Sequence, residues 1–150
     1  MLDDTDRRLL RYLQDDPEQP LSALADAARI PQATATRRLE KLREAGVIRA
    51  VRARIDWRAL GYAVEVSLRI TLEKSPRAFE DFLTEARHIP EVIEIQTFLG
   101  RVDARLSIIA RDMAHYQDLY RDRILTLPHV ADIEALMQVA GVSRREGLPL

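Results

Sequence analysis

The stretch "ATATRRLEKLREAGVI", residues 33–48, packs four basic side chains, two carboxylates and a closing Gly46 into one helical phrase. Ala35, Leu39 and Leu42 recur at i, i+4 and i+7, which predicts a helix burying that stripe, with Gly46 as its stop. The outward positions are Gln32, Thr34, Thr36, Arg37, Arg38 and Lys41, with Thr34, Arg38 and Lys41 sharing one face. A solvated helix kept soluble by Glu40, Lys41, Arg37 and Glu44 accounts for the charges alone. What precedes and follows favours a helix laid against an anion.

Two shorter helical phrases come first. Leu9, Leu10 and Leu13 form one stripe, and Asp3 with Asp6 can cap its start. "DDPEQP" breaks that helix, because Pro17 and Pro20 cannot continue it. Leu21, Leu24, Ala25 and Ala28 mark a second, very short helix, whose small residues permit the close crossing of a helix-turn-helix. Within 29–58 there are nine basic residues and three acidic ones, although the whole chain carries a net charge of −1. This local excess points to double-stranded DNA, with short polar side chains near base edges and Arg and Lys on phosphates. "VIRAVRARID" (47–56) alternates and is expected to be a strand or small wing leading out of the helical unit.

After Gly61 the hydrophobic period becomes two. Val64, Val66, Leu68, Ile70 and Leu72 face one way along the first strand. A helix opened by Ser75-Pro76 is expected to bury Phe79, Phe82, Leu83 and Ala86. Strands follow at Val92–Leu99 and Ala104–Ala110, then a helix capped by Asp112 and carrying Tyr116, Leu119, Tyr120 and Ile124, then a last strand from Val130 to Val139. "HIPEVIEI" (88–95) and "TLPHVADI" (126–133) echo one another, giving two halves in the order strand–helix–strand–strand–helix–strand. Such a sheet keeps both helices on one face and leaves the other open, so pairing with a second copy is expected.

The ordered set resembles the Lrp/AsnC (leucine-responsive, feast/famine) transcription regulators. It consists of "LDDTDRRLLRYLQDD", "RRLEKLREAGVIRAVRARIDWRALG" and "LPHVADIEALMQV" with a closing "LPL". The resemblance implies an α+β chain with a winged-helix-like helix-turn-helix at 1–46, a linking strand at 47–61, and a ferredoxin-like (ACT-like) βαββαβ domain at 62–150. The last would bind an amino-acid-like effector and build homodimers, often associating into octamers. Arg38, Lys41, Gly46 and Ile48 match the recognition helix and the turn after it. Arg29 stands where the family usually has Gly, Pro31 where it has Ser, and "GRVD" (100–103) where it has Gly-Asp-x-Asp. Gly100 and Asp103 therefore keep the effector-turn pattern, while Arg101 replaces a carboxylate with a planar fork suited to an extra carboxylate, as in an acidic amino acid or an oxo acid.

Two other functional classes fit parts of this sequence. A sirohaem-decarboxylase-like enzyme on the same scaffold would need pocket histidines or arginines for a carboxylated macrocycle, and His88, His115 and His129 lack metal-ligand spacing. No phosphate loop, nucleophile elbow or cofactor signature is present either. A sensor that has lost DNA binding would follow from the departures at Arg29 and Pro31. With no cysteine, no apolar run of membrane length and no signal-peptide order, the expected compartment is the cytoplasm.

Overall fold

A computed structural model describes residues 2–139, 141 and 147–150. The chain forms two compact units, one of Met1–Arg54 with Val142–Leu150 and one of Ile55–Gly141.

The first unit holds α1 (Asp4–Asp15), α2 (Leu21–Ala27) and α3 (Gln32–Glu44). Asp3 caps α1 in the reciprocal manner its spacing predicts: Asp6 N–H donates to Asp3 at 2.8 Å, and Asp3 N–H to Asp6 at 3.2 Å. Leu9 on α1, Leu24, Ala25 and Ala28 on or beside α2, and Ala35 and Leu39 on α3 form one buried cluster. The alanines let the helices approach closely, and half-buried Tyr12, Leu13, Leu21, Ile30 and Ile48 close the cluster's edges. The end of the chain returns to α1. Leu148 N–H donates to the Gln14 side-chain oxygen at 2.8 Å, the Gln14 amide donates back to the Leu148 carbonyl at 2.9 Å, and Arg11 Nε donates to the Leu150 carbonyl at 2.8 Å. Leu10, Leu13, Val47, Ile48, Leu148 and Leu150 line one apolar groove there.

The second unit is a four-stranded antiparallel sheet of β1 (Val64–Leu72), β2 (Val92–Thr97), β3 (Ala104–Ala110) and β4 (Val130–Met137), in the order β2-β3-β1-β4. With α4 (Ala78–Ala86) and α5 (Met113–Leu119) this is the split unit expected from the internal echo. Val66, Leu68, Ile70 and Leu72 of β1 and Leu106 and Ile108 of β3 pack with Phe82, Ala86, Leu119 and Ile124 of the helical layer. The opposite face pairs charge across strands: Arg69 with Glu134 at 3.4 Å and Arg105 with Glu94 at 3.3 Å.

Four expectations are corrected. Residues 47–61, expected to be a linking strand, form none, because nothing among the described residues offers them a ladder partner. β2 and β4 end at Thr97 and Met137, two residues short of the expected limits. Phe79 is exposed: α4 buries Ala78, Phe82 and Ala86, a stripe one position earlier. Finally, α5 continues into a π-helical turn at Tyr120–Ile124, where Leu125 N–H reaches back to the Tyr120 carbonyl at 2.9 Å.

Candidate nucleic-acid interface and effector hairpin

The turn between α2 and α3 and the end of α3 are built alike. After α2, Ile30 N–H bonds the Ala25 carbonyl and Arg29 N–H that of Asp26, both at 3.0 Å. After α3, Val47 N–H bonds the Leu42 carbonyl at 2.9 Å and Gly46 N–H that of Arg43 at 3.0 Å. Both are Schellman closures, which put the residue after the cap in the left-handed region. Gly46 sits there at φ 69°, and Arg29 at φ 56°. The turn keeps its geometry with arginine in a glycine's place, at a cost to the fold. Arg29→Gly should therefore raise the first unit's stability by up to about 1 kcal/mol, read as a higher thermal midpoint; a lower midpoint would contradict the strain. Pro31 acts as the N-cap of α3 rather than as its first helical residue, with φ −60° and ψ 145° and no side-chain cap.

On α3, Gln32, Arg37 and Lys41 are exposed, and Thr34 and Thr36 half-buried. The Thr36 hydroxyl donates to the Gln32 carbonyl one turn back at 3.1 Å, leaving its lone pairs for a partner. Arg38 is different. One terminal nitrogen, Nη1, donates to Asp3 at 2.7 Å and to Asp6 at 2.8 Å, and 28% of the side chain is exposed. Sequence reading put Arg38 among outward phosphate contacts; its guanidinium turns to the start of α1. Asp3, Asp6, Arg37, Arg38 and Lys41 line one cleft of about 650 Å³.

The Asp6 N–H, and after it the Arg38 guanidinium, hold the Asp3 carboxyl below the usual carboxylate range, while Asp6 and then Asp3 raise Arg38. A depressed acid stabilises the fold above its unfolded value. That contribution is lost as pH falls through the folded value, so acid loosens this contact and mild base leaves it intact.

In the second unit the hairpin between β2 and β3 carries Gly100, Arg101 and Asp103. Gly100 lies at φ 156° with open space where a Cβ would stand. Asp103 is committed to the fold on one side: a carboxylate oxygen accepts from Leu72 N–H at 2.7 Å, and its own N–H donates to the Ile70 carbonyl at 2.9 Å. The Arg101 carbonyl accepts from the Thr71 hydroxyl at 3.1 Å, while its guanidinium is exposed and has no ion-pair partner among the described residues. Leu99 beside it is fully exposed and Phe98 nearly half so. The histidines are held locally. His129 contacts Asp81 at 3.0 Å, and His115 accepts from Arg111 N–H at 3.2 Å and lies 3.6 Å from Glu91. The His88 carbonyl accepts from Arg123 at 3.2 Å.

Two family models match the chain. Residues 2–49 match the winged helix-turn-helix DNA-binding family and residues 65–148 the Lrp/AsnC ligand binding domain. Together these define an effector-modulated, DNA-binding transcription regulator. The chain belongs to the Lrp/AsnC family. It is 36% identical over 112 residues to the HTH-type transcriptional regulator AldR of Mycolicibacterium smegmatis, spanning 74% of this chain and 66% of that protein. It is 31% identical over 146 residues to the proline dehydrogenase transcriptional activator of Rhodobacter capsulatus, covering 95% and 93%. Among solved structures, the regulator NMB0573 of Neisseria meningitidis in complex with L-Met superposes with a TM-score of 0.92 at 25% identity, covering 99% of this chain and 97% of that one. AsnC of Escherichia coli shares the fold, with a TM-score of 0.88 over 97% of both chains at 24% identity. No helix among the described residues is long and apolar enough to cross a membrane.

Proposed function

We propose that the protein works in the cytoplasm as a homodimer on near-palindromic DNA, with α3 in the major groove and an acidic effector at the 98–103 hairpin. Arg37 and Lys41 hold phosphates, and Gln32, Thr34 and Thr36 lie nearest the bases. The observation that carries this is α3 itself: thirteen residues that begin just after the Schellman turn ending α2 and close in a Schellman turn of their own, with exposed cations on the side away from the buried stripe. A two-fold pair presents two such helices, which fits half-sites about one helical turn apart. Binding, not catalysis, is the activity this arrangement supports; the relatives above are named as regulators.

The Arg101 guanidinium, without an ion-pair partner among the described residues, favours an effector with a second carboxylate. Genomic footprinting of the tagged protein, with and without acidic amino acids and oxo acids, should give discrete near-palindromic sites whose occupancy the acids change. Absence of discrete sites would overturn the reading. In the purified protein the acids should raise the thermal midpoint, and Arg101→Ala should abolish that shift while leaving DNA affinity without effector unchanged. A shift with leucine alone, insensitive to Arg101, would remove the acidic effector from the proposal.

A further inference from the structure

We propose that Arg38 is a positioning residue: clasped by Asp3 and Asp6, it sets the pose in which α3 leaves α1 and meets DNA. The inference rests on the reading of α3 as the helix that enters the groove.

Among the described residues, the other contacts between α3 and the rest of its unit are apolar, leucine against alanine. Ala35 and Leu39 pack on Leu9, Leu24, Ala25 and Ala28. Apolar burial has no direction, and alanine surfaces let one helix rotate or slide against another at little cost. Polar contacts between helices do have direction, and fixing registry is their best-attested role.

Here the directional contact is closed on itself. One Asp3 oxygen accepts from Asp6 N–H and the other from Arg38. One Asp6 oxygen accepts from Asp3 N–H and the other from Arg38. All four carboxylate oxygens are thus assigned, and the capping box holds both carboxylates still before Arg38 arrives. The repulsion between two adjacent like charges at the start of α1 is offset in part by the cation they share. The clasp joins Arg38 in the middle of α3 to the N-cap and the first turn of α1, 35 and 32 positions away. Arg38 Nε is buried without a partner, so the side chain is not held there by full satisfaction of its donors. Arg37 and Lys41 line the same cleft. A small rotation of α3 displaces them together.

A phosphate contact and a positioning contact predict opposite results for the acids. If Arg38 held phosphate, freeing it by Asp6→Asn would tighten DNA binding, since a negative charge is also removed. If Arg38 positions α3, Asp6→Asn loosens the helix and weakens binding to the preferred sequence. The test uses the full chain, a duplex enriched from a random pool by the wild-type protein, and a random-sequence duplex. Arg38→Met and Asp6→Asn should each lose roughly tenfold or more on the enriched duplex, about 1.4 kcal/mol, with the salt slope unchanged and random-sequence binding nearly intact. Arg38→Lys, which can still reach both carboxylates, should recover part of the loss.

Lys41→Ala should weaken both duplexes and lower the slope by about one unit for each helix engaged. Tighter binding by Asp6→Asn, with a lower slope in Arg38→Met, would overturn the proposal and return Arg38 to the phosphates. If Lys41→Ala changes nothing, it is the placement of α3 that fails. Thermal melts separate unfolding from repositioning, and Arg38→Lys keeps the question open to measurement if Arg38→Met does not fold.

Discussion

Replacing Arg37 and Lys41 together by alanine is expected to reduce affinity for DNA by roughly a hundredfold near physiological salt, on any sequence. Both side chains are exposed on α3, and neither has an ion-pair partner among the described residues. Their removal subtracts phosphate contacts and the counterions those contacts release, so the dependence of binding on salt should flatten by about two units for each helix engaged. The sequence preference should survive, because Gln32, Thr34 and Thr36 remain. Fold is not at stake, as α3 buries Ala35, Leu39 and Leu42 on its other side. A gel-shift titration across a salt series checks this. An unchanged slope would mean that the basic face of α3 is only a solvated surface.

The second large effect is on stability. Phe82 is completely buried in the second unit, packed among β-strand residues that include Leu68, Ile70 and Leu106. Phe82→Ala removes most of a large side chain from a close-packed interior and should cost about 3–5 kcal/mol. A domain of ordinary stability retains little after such a loss. The first unit has its own cluster around Leu9, so its helices should melt separately. Calorimetry is expected to show one transition lowered by more than about 10 °C and another nearly unmoved. Phe79→Ala, three residues earlier and exposed, should move neither by more than about a degree. A comparable loss in both variants would mean that the buried stripe of α4 is misassigned.

These two residues also show how far local reading reaches. The period of α4 announced a helix, but Phe79 and Phe82 fit its apolar pattern equally well. Only the sheet beneath decides which one goes in. The capping box of α1 was legible because its two partners lie three residues apart. Arg38 was not, since its role depends on carboxylates 32 and 35 residues away. The linking stretch 50–56 has the alternation of a strand but no ladder partner among the described residues, and alternation cannot supply one. At the hairpin, Gly100 and Asp103 were legible as a turn. That Asp103 spends one oxygen on the Leu72 N–H depends on the strand beside it.

The return of residues 148–150 to α1 bears on the order in which the protein can be completed. Synthesis delivers the three helices of the first unit within the first 54 residues, and their buried cluster needs nothing later in the chain. The partners of Gln14 and Arg11, by contrast, lie 134 and 139 residues downstream. Until they emerge from the ribosome, the apolar groove beside Leu10 and Leu13 stays open to whatever is nearby, the kind of surface that makes nascent chains stick. Leu148 and Leu150, made long after α1, therefore cover the groove beside it.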